Sequence, residues 1–125
     1  MTARIVVIDD NPDNLKLIEL LLKARGHTPL LAGNGTDGIL LAVAERPDMI
    51  LLDIRMPDMD GYQVAAALKG EPSLSRVPII AVTASAMVGD RERITAAGFH
   101  GYIQKPIDPE TFTAQVDELL AQHDL

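Results

Sequence analysis

The chain has 125 residues, of which 47% are hydrophobic and 23% charged, with a formal net charge of −7 and no cysteine. Those values suit one folded domain over residues 1–125 and exclude disulfides, thiolate chemistry and cysteine metal sites. Aromatic residues are only 3% of the chain and the arginines are scattered, so neither a nucleic acid nor an anionic membrane surface is an expected partner.

No N-terminal stretch joins a basic start to an apolar run and a cleavage site. No apolar run reaches membrane-spanning length, and a cytoplasmic location is the expectation. In chain order, Ile5-Val6-Val7-Ile8 reads as a strand buried on both faces, ended by Asp9-Asp10. Asn11 and Pro12 are a helix N-cap and first helical residue; Leu15, Ile18 and Leu22 recur at helical spacing, and Gly26 stops the helix. Thr28 to Ala32 predicts a second strand, at an edge because Pro29 cannot donate to a ladder. After a glycine-rich turn, Ile39, Leu40, Val43 and Ala44 mark a helix closed by Pro47.

Met49 to Leu52 is another apolar strand, ending in Asp53. An irregular stretch from Arg55 to Gly61 leads to a helix carrying Val64 and Leu68 and ending near Gly70. Val77 to Val82 predicts a fourth strand ending in Thr83, and Ala86 to Ala97 a fourth helix. Gly101 to Gln104 is a short fifth strand before Lys105-Pro106; Asp108-Pro109 open the last helix, whose apolar face is Phe112, Val116, Leu119 and Leu120. Five strands alternating with five helices predict an α/β, doubly wound (βα)5 flavodoxin-like fold with a parallel sheet of order 2-1-3-4-5.

In such a sheet the ligand lies beyond the carboxyl ends of the strands, where the order reverses. Strand one ends in Asp9 and Asp10, strand three in Asp53, strand four in Thr83, strand five in Lys105. A single acid at a strand end is ordinarily a turn former or cap. One polar group at each of four strand ends on a single rim is a pattern. Three neighbouring carboxylates call for a cation, and all-oxygen ligands favour Mg2+. A phosphoryl group fits beside such an ion, with Lys105 pairing one of its oxygens and Thr83 donating a hydroxyl hydrogen bond.

These motifs, Val7-Ile8-Asp9-Asp10-Asn11, Leu51 to Gly61, Ala81-Val82-Thr83-Ala84 and Lys105-Pro106, resemble the receiver domains of two-component response regulators, the CheY-like family, over essentially the whole chain. Thr83 to Met87 followed by Gly89-Asp90 looks most like single-domain regulators of the DivK type and receivers of hybrid kinases. The resemblance implies a phosphorylation switch. Asp53 matches the phosphoacceptor, Asp10 a direct metal ligand, Asp9 an acid reaching the metal through water, and the Arg55 backbone carbonyl a third protein ligand. Thr83 matches the switch hydroxyl, Lys105 the phosphate-pairing lysine and Tyr102 an aromatic that turns inward on activation. A cis Lys105-Pro106 bond is implied as well.

The implied donor is a sensor histidine kinase or histidine phosphotransfer protein. The implied output is a downstream protein target bound at the face of helix four, strand five and helix five, with no turnover of a separate substrate. No output domain is expected after helix five. Arg55 and Ser85 stand at positions that vary in the family and tune phosphoryl lifetime; Arg55 either pairs with the phosphoryl group or is solvated. Three other readings compete. Gly33 to Gly38 fits G-x-G-x-x-G, but it follows an edge strand, while the switch point holds Asp9-Asp10, which would repel a pyrophosphate; a tight turn explains the glycines better. An aspartyl-nucleophile phosphatase would need a second acid at position 55, where Arg stands. A degenerate binding module would lack site residues that are all present here. His27, His100 and His123 are unspaced for metal and read as surface or half-buried residues.

Overall fold

The computed structural model describes residues 2–57, 59–84 and 87–123. Its elements run β1 (Arg4–Ile8), α1 (Pro12–Ala24), β2 (Thr28–Ala32), α2 (Gly35–Glu45), β3 (Met49–Asp53), α3 (Gly61–Lys69), a 3-10 turn (Pro72–Leu74), β4 (Ile79–Thr83), α4 (Val88–Ala96), β5 (Gly101–Gln104) and α5 (Phe112–His123). The strands pair in parallel in the order β2-β1-β3-β4-β5, as the alternating pattern predicts. Pro29 lies on the edge strand, opposite Ile5.

Strand alternation divides the core in two. Val6, Ile8, Ile50, Leu52, Ile79 and Ala81 pack with Ala42 of α2, Val64, Ala65 and Leu68 of α3 and Ile94 of α4. Ile5, Val7, Met49, Leu51, Ile80 and Val82 pack with Ile18 and Leu22 of α1 and Phe112, Val116 and Leu120 of α5. The central strands β3 and β4 are buried along their whole length, which is why they read as unbroken apolar runs rather than alternating ones.

The buried face of α2 is Gly35, Gly38 and Ala42, while Leu40 is 65% exposed. Small residues carry that face because the helix lies hard against its neighbours: a Cβ on Gly38 would collide with the side chain of Ile8, and one on Gly35 would come within 2.7 Å of Val64 Cγ2. Gly35 and Gly38 are therefore explained by close packing within α2, whereas Gly33, with nothing near its Cβ position, lies in the bend before the helix. β4 starts at Ile79, not Val77, because Val77 N donates to Leu74 O in the preceding turn and Pro78 has no N–H. The regular part of α5 starts at Phe112: the Asp108 carbonyl accepts from both Thr111 N and Phe112 N, and this mixed turn precedes the helix. α4 is regular from Val88, with Ala86 outside the described residues.

His27 is not a surface residue; its side chain is fully buried. Nδ1 accepts from Ala3 N at 3.0 Å, so the ring proton is on Nε2, which faces Asp117 Oδ1 at 2.9 Å. Arg25 Nε donates to the other Asp117 oxygen at 2.9 Å. Burial works against ionisation of Asp117, but these hydrogen bonds hold its carboxyl below the usual range. The imidazole ties the start of β1 to α5, at the end of the sheet away from the acidic rim. Among the described residues no helix is long and apolar enough to cross a membrane.

Candidate functional site

Continuous apolar strands force the first polar residues to the sheet's rim. β1 delivers Asp9 and β3 delivers Asp53, both buried; Asp10 follows Asp9 into solvent. Each of the three carboxylates offers an oxygen, and these oxygens lie within 4.8 Å of one another. Lys105 reaches back from the end of β5, its backbone N–H fixed on Thr83 O at 2.7 Å and its peptide bond to Pro106 cis. Its Nζ stands 3.2 Å from Asp9 Oδ2 and 3.3 Å from Asp53 Oδ2.

The local turns fix the acids as well as the sequence does. Asp9 Oδ1 accepts from Asn11 N at 2.9 Å, while the Asn11 side chain caps α1 by accepting from Asp13 N and Asn14 N. Asp53 Oδ1 accepts from Arg55 N at 3.2 Å. Burial, and then the charge of Asp9, push the Asp53 carboxyl up from 3.8 to about 6, against the opposing pull of Lys105 and the Arg55 N–H. Asp9 Oδ2 is buried with no aligned hydrogen bond; the nearby ammonium makes an ion pair with it but not a directed one. One lysine, paired with Asp9 and Asp53, set against a cluster of three carboxylates leaves the rim short of positive charge. An all-oxygen donor set of this kind fits a hard divalent cation.

Thr83 is buried at the end of β4. It lines a cleft of about 480 Å³ between the β3–α3 loop and α4, with Arg55, Met56, Tyr62 and Arg93 also on its walls. The side chain of Arg55 is exposed; Ser85, the other position expected to tune lifetime, lies outside the described residues, as does Asp58. Tyr102 is half-buried on β5 beside Ala81, with the Arg91 guanidinium 5.6 Å from its ring centroid. The sequence reading missed this arginine. α4 buries only Ile94 and is flanked by a second such contact, Arg93 over Tyr62 at 5.1 Å, with Tyr62 in turn edge-on to Phe99. Contacts of this type contribute about 0.5–1 kcal/mol each at exposed sites, so α4 is lightly held compared with the helices that bury three or more side chains.

Residues 5–117 match the response regulator receiver domain family. The chain belongs to that family. It is 39% identical over 120 residues to the polar-differentiation response regulator DivK of Brucella anthropi, covering 96% of this chain and 98% of that relative. The receiver domain of the sensor histidine kinase PA1611 from Pseudomonas aeruginosa PAO1 is 33% identical, with a TM-score of 0.86 over 97% of this chain and 99% of that one. That receiver was solved with a magnesium ion coordinated in its active site cleft. The chemotaxis response regulator CheY4 of Vibrio cholerae has the same fold, with a TM-score of 0.90 at 24% identity over 95% of this chain and 99% of that one. This receiver domain is therefore a component of two-component signal transduction.

Proposed function

We propose that this receiver takes a phosphoryl group onto Asp53 from a phosphohistidine of a sensor histidine kinase or histidine phosphotransfer protein. The observation that carries the reading is the buried carboxylate of Asp53, set between Asp9 and the Lys105 ammonium at the switch point of the sheet. Asp9, Asp10, Asp53 and the Arg55 backbone carbonyl would hold Mg2+, which when bound supplies positive charge against the oxygens of the transferring group. An Asp53 oxygen attacks phosphorus; the P–O bond forms as the P–N bond to the donor imidazole breaks, and the bonding pair stays with that nitrogen. Lys105 balances the phosphoryl oxygens on one side. Hydrolysis later cleaves the acyl phosphate and returns the carboxylate and inorganic phosphate. The chain acts on its own side chain and turns over no separate substrate.

Phosphorylation draws the Thr83 hydroxyl toward the phosphoryl group, and Tyr102 moves into the space left. Tyr102 must then leave the Arg91 guanidinium, which changes the face built from α4, β5 and α5 for a downstream protein target. The acidic surface favours protein partners over nucleic acid or membrane, in keeping with action in the cytoplasm.

A labelled phosphohistidine donor, or a small acyl phosphate with Mg2+, should mark the wild type and leave Asp53→Asn unlabelled. Wild-type labelling of that variant would overturn the assignment. Tyr102→Ala should label normally but lose about tenfold in phosphorylation-dependent partner binding, a coupling of ordinary allosteric size. Undiminished binding would remove Tyr102 from the output.

A further inference from the structure

Gly61 opens α3, and its closest neighbours are the backbone of the candidate phosphoacceptor. A Cβ at this position would stand 2.6 Å from Ile54 Cα and 2.8 Å from Asp53 O. Its φ is not in the left-handed region, so the requirement for glycine is one of approach, not of conformation. Its N–H donates to Ile54 O at 2.7 Å. That bond satisfies a donor that the first turn of a helix leaves without an internal partner, and it joins the start of α3 to the end of β3. The helix end is itself fixed: Asp60 Oδ1 accepts from Gln63 N at 2.9 Å, and Gln63 Oε1 accepts from Asp60 N at 3.0 Å.

We propose that Gly61 is a positioning residue for the chemistry at Asp53. It lets a rigidly capped helix rest directly on the Asp53–Ile54 backbone, and so sets both the Asp53 carboxylate and the Arg55 peptide, whose N–H holds Asp53 Oδ1. A methyl group here meets backbone atoms that cannot swing aside. The strand end must move instead, carrying two of the four proposed metal-facing groups with it. Gly35 is the instructive contrast: a Cβ there is equally crowded, at 2.7 Å, but by the side chains of Val64 and Met59, which can rearrange away from the acidic rim.

The inference rests on the proposed Mg2+ site, and a calorimetric titration with MgCl2 alone separates the two. Wild type should bind Mg2+ measurably; no binding to the wild type sinks the site itself. With wild-type binding established, Gly61→Ala, held well below its melting temperature, should bind Mg2+ about tenfold or more weakly, the size of loss expected when support around a metal ligand fails. Gly35→Ala should lose stability yet keep its Mg2+ affinity within about twofold. A Gly61→Ala protein that binds Mg2+ as tightly as wild type overturns the inference. Should that variant fail to fold, Gln63→Ala decides: loss of the cap bond to Asp60 should weaken Mg2+ about threefold, and unchanged affinity overturns the role of the α3 terminus.

Discussion

Replacing Lys105 by Met is expected to slow phosphorylation of Asp53 by about a hundredfold while Mg2+ binds several-fold more tightly, effects in the range seen when one charged stabiliser of a developing charge is removed. The two effects separate because the ammonium serves two roles. It lies 3.2 and 3.3 Å from oxygens of Asp9 and Asp53, occupying the same electrostatic well as a divalent ion. Like charges in one well repel, so removing one cation deepens the well for the other, and solvent at the rim limits the gain to several-fold. The phosphoryl group, by contrast, loses its positive partner on the β5 side and gains nothing from the tighter ion. Rates of labelling by a small acyl phosphate at saturating Mg2+, set beside a calorimetric Mg2+ titration, check both arms. Weaker Mg2+ binding in Lys105→Met would show that the lysine orders the acids rather than competing with the ion.

The parts of this site that were legible in sequence are those whose cause is local. An apolar run that stops at an acid identifies a strand end, and Asp9, Asp53 and Thr83 stand where that logic places them. Lys105 was legible because it follows the last short strand, and its contact with two acids confirms that the fold gathers residues far apart in the chain. What escaped the reading depends on distance rather than on pattern. Gly61 looks like an ordinary helix-start glycine until the Asp53 carbonyl is seen beside it. The second helix was legible from its apolar residues, but that Gly35 and Gly38 form its closest face to the sheet and to α3 was not, because apolar periodicity gives glycine no weight. His27 was read as surface or half-buried, and not as fully buried, because nothing in its neighbourhood announces Asp117 or the Ala3 amide as partners. Arg91 belongs to the same class: its contact with Tyr102 joins a helix to a strand across a turn.

The charge shortage at the rim leads to the second large effect. In metal-free protein, Asp53→Asn is expected to be more stable than wild type at pH 7.5, although it removes the proposed phosphoacceptor. The Asp53 carboxyl is raised from 3.8 to about 6 by burial and by the neighbouring Asp9 charge. Below about pH 3 the group is protonated in the folded and unfolded chain alike and costs nothing. Between about pH 4 and 6 the unfolded chain ionises first, so the folded state loses relative stability as pH rises, and above about 6 the whole penalty is present. A displacement of that size corresponds to at most about 3 kcal/mol, and solvent relaxation at a rim brings the expected gain nearer 1–2 kcal/mol. Urea melts of the two proteins should therefore diverge from pH 4 to 7 and meet again in acid. Millimolar Mg2+ should reverse the order at pH 7.5, since ligand binding stabilises the wild type by an amount that grows with its occupancy while the Asn variant has lost one of the proposed ligands. If the two proteins melt together at every pH without metal, then Lys105 already balances the rim, and the clustering of three acids is not a sign of missing positive charge.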